Sequence, residues 1–172
     1  MSELVQVFSQ TDIQERVQSL ARKISADYSG KKLIAIGILK GAFIFLADLV
    51  RYISVPTQID FVRLVSYGAG TKSSGTVRIT KDIELDIKGK DVLIVEDIID
   101  SGLTLTFLVE HLKTFSPLSV KICALINKIE RREKKVLVDY VGFTVEGGFL
   151  VGYGLDCNED YRTLSDINNL RL

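Results

Sequence analysis

Short apolar runs alternate along this chain with segments whose apolar residues recur every three to four positions. Leu33–Leu39 (LIAIGIL), Val92–Val95 and Val120–Ile126 carry few polar residues, which predicts strands covered on both faces of a parallel sheet. Gln58–Val65 predicts a further strand and Thr76–Leu85 an antiparallel return. The Gly- and Ser-dense stretch GAGTKSSG (68–75) between them has little to bury and predicts a mobile loop. Thr11–Tyr28 predicts an amphipathic helix: Ile13, Val17, Leu20 and Ile24 share one face, and Gln14, Glu15, Arg16, Arg22 and Lys23 fill the other. Thr11 with Gln14 predicts a capping box, and Ser29-Gly30 the stop. Ala42–Tyr52 predicts a largely buried helix, polar only at Asp48 and Arg51; Leu105–Phe115 predicts a third, ended by Ser116-Pro117. Strands separated by helices predict an α/β domain with a mainly parallel central sheet flanked by helices.

Composition narrows this picture. At 172 residues the chain is one domain, 1–172, with a sizeable core. Its 22 Lys and Arg balance 22 Asp and Glu, so it lacks the basic excess of a nucleic-acid binder. No apolar run approaches the ~18 residues of a membrane span, and MSELVQVFSQ has no signal-peptide character. Cys123 and Cys157 are too few for a disulfide framework and show no zinc spacing. We therefore expect a soluble, reduced, cytoplasmic protein without membrane or nucleic-acid partners.

The candidate chemistry lies in Asp91–Phe107, DVLIVEDIIDSGLTLTF. An apolar strand delivers Glu96 and Asp97 to its C-terminal end; Asp100, Ser101, Gly102 and Thr104 follow, and a helix begins. Ligands of open α/β sheets bind at that edge, and a helix start offers unpaired N–H groups suited to phosphate. Carboxylates beside such donors suit a magnesium-bound sugar phosphate.

VLIVEDIIDSGLT resembles the phosphoribosyl-pyrophosphate signature of the type I phosphoribosyltransferases, and its EDIIDSGLT portion resembles the hypoxanthine-guanine branch. The resemblance runs from about Leu33 to Arg162. It implies the type I fold, a central mainly parallel sheet with a small hood and a flexible antiparallel lid loop. The core spans about 30–145, and the N- and C-terminal segments make the hood. It implies transfer of the 5-phosphoribosyl group from phosphoribosyl pyrophosphate to N9 of hypoxanthine or guanine, giving IMP or GMP and pyrophosphate, with Mg2+ as cofactor. Glu96 and Asp97 would hold the ribose and its magnesium, and Asp100 would be the general base. Asp100, Ser101, Gly102, Leu103 and Thr104 would cradle the 5′-phosphate. Lys40 and Gly41, matching a loop with a non-proline cis peptide, would bind pyrophosphate with Arg162. Ser66-Tyr67 matches the lid. Lys128, Phe149, Leu150 and Asp156 match the purine site, with Asp156 also near a second magnesium. A homodimer or homotetramer is implied.

Read from the residues alone, Leu39–Gly41 is equally an ordinary turn, and Phe149 equally a core aromatic. The run IERREKK predicts a solvated face for Glu130, Arg131, Glu133, Lys134 and Lys135, whereas Lys128 ends an apolar strand. Three features depart from the family pattern: Ile129 for a proline, Glu146-Gly147-Gly148 before Phe149, and Cys157 for a tyrosine. The other readings are a nucleotide-sensing regulator of the same fold that binds RNA or DNA, a phospho-acceptor receiver domain, and a transferase acting on adenine or a pyrimidine.

Overall fold

The computed structural model describes residues 3–67 and 76–171. Its elements are β1 (Glu3–Phe8), α1 (Gln10–Asp27), β2 (Leu33–Leu39), α2 (Phe43–Tyr52), β3 (Thr57–Tyr67) and β4 (Thr76–Lys81). There follow β5 (Asp91–Ile99), α3 (Leu103–Lys113), β6 (Ser119–Lys128), β7 (Tyr140–Val145), β8 (Leu150–Val151) and β9 (Ile167–Arg171). Six strands form the central sheet in the order β4-β3-β2-β5-β6-β7, parallel throughout except for β4 on β3. A second sheet, β1-β9-β8, joins the two ends of the chain.

Strand periodicity divides the core. In β2, Leu33 and Ala35 face α1 and α2, packing with Ile13, Val17, Leu20, Phe45 and Leu49. Ile34 and Ile36 face the other way, toward α3 and its Leu105, Leu108 and Leu112. Each such side chain, fully buried, contributes about 1.5–3 kcal/mol. Both faces of β2 and β5 are covered, and their unbroken apolar runs follow from that.

Some local expectations shift. The capping box of α1 is Ser9 with Asp12, not Thr11 with Gln14. Ser9 Oγ accepts from the Asp12 N–H at 3.2 Å and the Asp12 carboxylate accepts from the Ser9 N–H at 2.9 Å, so the helix begins a residue or two earlier. β5 does not stop at Val95 but runs through both acids to Ile99, because its ladder with β6 continues to Ile99 opposite Asn127. β1 and β9 carry no strong strand pattern in the sequence, and pairing with each other makes them strands. Ser66 and Tyr67 end β3; the rest of the expected lid, 68–75, lies outside the described residues. Among the described residues no helix is long and apolar enough to cross a membrane.

Candidate active site

Parallel register brings three strand ends to one edge. Leu33 of β2 lies opposite Asp91 of β5, and Asp91 opposite Ser119 of β6. The Lys40-Gly41 loop, the Glu96–Thr104 junction and Lys128 therefore leave the sheet side by side.

At the junction a cavity of about 130 Å3 is lined by Glu96, Asp100, Ser101, Gly102 and Thr104. Gly102, at φ 83°, precedes α3 and has no side chain to cap it. Ser101 Oγ accepts weakly from the Leu103 N–H, at 3.3 Å. Helix-start donors thus face a space bounded by an acid, as a sugar phosphate requires.

Glu96 and Asp97 are both buried, at 7% and 9% exposure, but serve different neighbours. Glu96 lines the junction cavity, whereas a β-carbon on Gly41 would strike the Asp97 carboxylate. Asp97 therefore touches the Lys40-Gly41 loop. Burial, and then the adjacent Asp97 charge, hold the Glu96 carboxyl well above the usual carboxylate range. Two crowded carboxylates, neither in an ion pair among the described residues, suit a hard divalent cation. Among the described residues no three ligating side chains converge, but magnesium is commonly held by one or two carboxylates together with substrate oxygens. The residues present fit the implied ion.

Lys128, 7% exposed at the end of β6, sets its ammonium 4.0 Å from Asp100 Oδ1 and 3.8 Å from Glu130 Oε2. Asp100 Oδ1 is buried without a hydrogen-bond partner among the described residues. A donor-only ammonium thus sits next to an unused acceptor. Phe149 is 49% exposed, so it is no core aromatic, while Leu150 is buried in β8.

On the other flank the Leu39–Lys40 peptide is cis, as the resemblance implies. Lys40 Nζ pairs with Glu159 Oε2 at 2.7 Å. Arg162 binds Asp156 at 3.0 Å and donates to the Gly154 carbonyl at 2.7 Å, but its Nε is buried without a partner among the described residues. Gly154 in turn lies against the Gly41 carbonyl, with no room for a β-carbon. Lys40, Gly41, Asp156 and Arg162 are thereby brought together, with a spare buried donor for an anion. A cavity of about 550 Å3 between α1 and α2, lined by Gln10, Asp48, Arg51 and Tyr153, contains none of the predicted site residues.

Arg132 went unnoticed in the sequence because it sits in a charge run. It is half-buried, and its guanidinium donates to the Asp100 carbonyl at 3.1 Å, the Lys128 carbonyl at 2.9 Å and Asn127 Oδ1 at 2.5 Å. Its neighbours Arg131, Glu133, Lys134 and Lys135 are exposed, as a solvated face predicts.

The family model described as the phosphoribosyl transferase domain matches residues 6–158. A hypoxanthine-guanine phosphoribosyltransferase of Mycobacterium avium is 49% identical over 164 residues, covering 92% of this chain and 81% of that protein. The one from Dictyostelium discoideum is 46% identical over 169 residues, covering 96% and 94%. A crystal structure of the Bacillus anthracis hypoxanthine-guanine phosphoribosyltransferase superposes with a TM-score of 0.92 at 42% identity, covering all of both chains.

Proposed function

The chain belongs to the phosphoribosyltransferase family, and from that premise we propose that it performs purine salvage by the chemistry of the hypoxanthine-guanine branch. It transfers the 5-phosphoribosyl group of phosphoribosyl pyrophosphate to N9 of hypoxanthine or guanine, giving IMP or GMP and releasing pyrophosphate. One observation carries the base side of this reading: Lys128 Nζ and the unpartnered Asp100 Oδ1 stand 4.0 Å apart at adjacent strand ends. In a 6-oxopurine the C6 oxygen and the N7–H are neighbours on one edge, so one ammonium donor and one carboxylate acceptor read both.

In the reaction the bond from the sugar C1 to the pyrophosphate oxygen breaks and the C1–N9 bond forms, through an oxocarbenium-like state. Asp100 accepts the N7 proton as N9 attacks. Negative charge at Asp97 stabilises the sugar cation, and Glu96 and Asp97 would together hold magnesium, which favours the ionised form of the Glu96 carboxyl. The metal, when bound, neutralises the diphosphate and so eases its departure. Ser101, Gly102, Leu103 and Thr104 hold the 5′-phosphate at the start of α3. Lys40, Gly41 and Arg162 receive the pyrophosphate, with Asp156 as a further magnesium ligand. Phe149 stacks on the base, and Leu150 meets its edge through the backbone. Closure of the segment opened by Ser66 and Tyr67 would keep water from the cation.

The regulator alternative finds no support among these relatives. A homodimer or homotetramer is in keeping with these relatives, among them a Trypanosoma cruzi hypoxanthine phosphoribosyl transferase with an oligomeric state of its own, and light scattering tests it. The decisive assay supplies labelled phosphoribosyl pyrophosphate and magnesium with each base in turn. Nucleotide is expected from hypoxanthine and guanine and little from adenine; no nucleotide from either 6-oxopurine would overturn the reading.

A further inference from the structure

The β5–β6 ladder ends at Ile99 opposite Asn127. The next residue on each strand is Asp100 and Lys128, the pair assigned to the purine edge. No ladder bond fixes their separation. On its other side β5 pairs with β2 only as far as Val95, so Asp100 receives no support from there.

Arg132 stands where the next rung would be. Its Nε donates to the Asp100 carbonyl at 3.1 Å, and one Nη donates to the Lys128 carbonyl at 2.9 Å and to Asn127 Oδ1 at 2.5 Å. A weaker contact reaches the Ile99 carbonyl at 3.5 Å. The same loop is seated under the phosphate turn: the N–H groups of Glu133 and Lys134 both donate to the Ser101 carbonyl, at 2.9 and 3.0 Å. A planar guanidinium can hold two strand ends at a set spacing; a lysine, a point charge on a flexible stem, cannot.

We propose that Arg132 is a positioning residue: it carries the β5–β6 spacing one step beyond the ladder and so sets the distance between Asp100 and Lys128. Its effect on catalysis is indirect, through these two side chains. The inference rests on the purine reading of that pair.

The test is Arg132→Lys, assayed with hypoxanthine and adenine as competing acceptors and with phosphoribosyl pyrophosphate varied. A displacement on the order of 1 Å in the pair lowers kcat/KM for hypoxanthine about a hundredfold. The hypoxanthine-to-adenine ratio falls about tenfold, whereas any effect on KM for phosphoribosyl pyrophosphate through the phosphate turn acts on both bases alike and leaves that ratio unchanged. The ratio is the informative readout. A variant that merely folded less well would lose both activities in step and keep the wild-type ratio. Asn127→Ala, which removes an acceptor orienting the same Nη, supplies a milder second variant and is expected to shift the ratio in the same direction by about threefold. A wild-type ratio in both variants overturns the proposal while leaving the function standing. A wild-type protein that transfers to no 6-oxopurine overturns the function and the proposal with it.

Discussion

Replacing Gly154 by alanine probes a contact that no side chain mediates. Gly154 has φ 101°, and a β-carbon there would fall on the Gly41 carbonyl oxygen. Gly41 in turn has no space on its other side, where a β-carbon would lie 2.6 Å from the Asp97 carboxyl carbon. The Gly154 segment, the Lys40-Gly41 loop and the Asp97 carboxylate of β5 are thus packed in series. The Gly154 segment is firmly held: its N–H donates to the Arg162 carbonyl at 2.9 Å, and the Tyr153 N–H to the Leu164 carbonyl at 2.8 Å. The Tyr153 hydroxyl also donates to Asp48 Oδ2 at 2.6 Å. The added methyl therefore displaces the loop. Restoring an ordinary carbon–oxygen separation needs a shift of about 1 Å, and a misplacement of that size costs about a hundredfold in rate. The positive φ adds about 1–3 kcal/mol of backbone strain, which for a chain of this size lowers Tm by several degrees, at roughly 2–4 °C per kcal/mol. Initial rates with phosphoribosyl pyrophosphate varied at saturating hypoxanthine, alongside a melting curve, measure both effects. Expected are a kcat/KM for phosphoribosyl pyrophosphate about a hundredfold lower and KM for hypoxanthine within about threefold of wild type. A lowered Tm with donor kcat/KM unchanged would refute the idea that this contact places the loop.

Asp100→Asn keeps the shape but removes the base. Turnover is expected to fall by about 10²–10⁴ with KM for phosphoribosyl pyrophosphate nearly constant, and equal turnover would exclude the general-base role. Lys128→Ala removes the donor that favours a 6-oxo group. Selectivity against adenine should fall on the order of a hundredfold, as seen by competing the two bases. Away from the site, burial alone would raise the Asp60 carboxyl, but the N–H groups of Leu85, Glu84 and Phe61 and the Lys81 ammonium outweigh it and hold it below 3.8. A depressed folded value gives stability that is present above 3.8 and lost as pH falls through the folded value. Asp60→Asn should therefore melt lower at pH 7, by an amount on the order of 2 kcal/mol, and approach wild type below pH 3.8; a pH-independent gap would contradict the linkage.

Strands covered on both faces were legible because nothing polar can interrupt them. β2 falls at Leu33–Leu39, as expected from the sequence. Strand ends read less well. β5 looked finished at Val95 because Glu96 and Asp97 are acids, yet ladder pairing with β6 carries the strand past them. β1 was missed because its side chains are exposed or only half-buried and its partner β9 is more than 150 residues away. Phe149 could not be assigned from its type; its exposure decided it.

By itself the sequence determined the local chemistry: a buried strand, a pair of acids, a glycine turn and a helix start follow one another within a single stretch. Periodicity and residue type act over a few positions, so they survive in one dimension. Tertiary structure decided which strand ends stand together, and with that which charges meet. Asp97 faces Gly41, Gly41 faces Gly154, and Arg132 leaves its charge run to join Asp100 to Lys128. Such contacts depend on the register between strands far apart in the chain, and a guanidinium that reads as solvated in the sequence becomes a brace only once two strand ends lie within its reach.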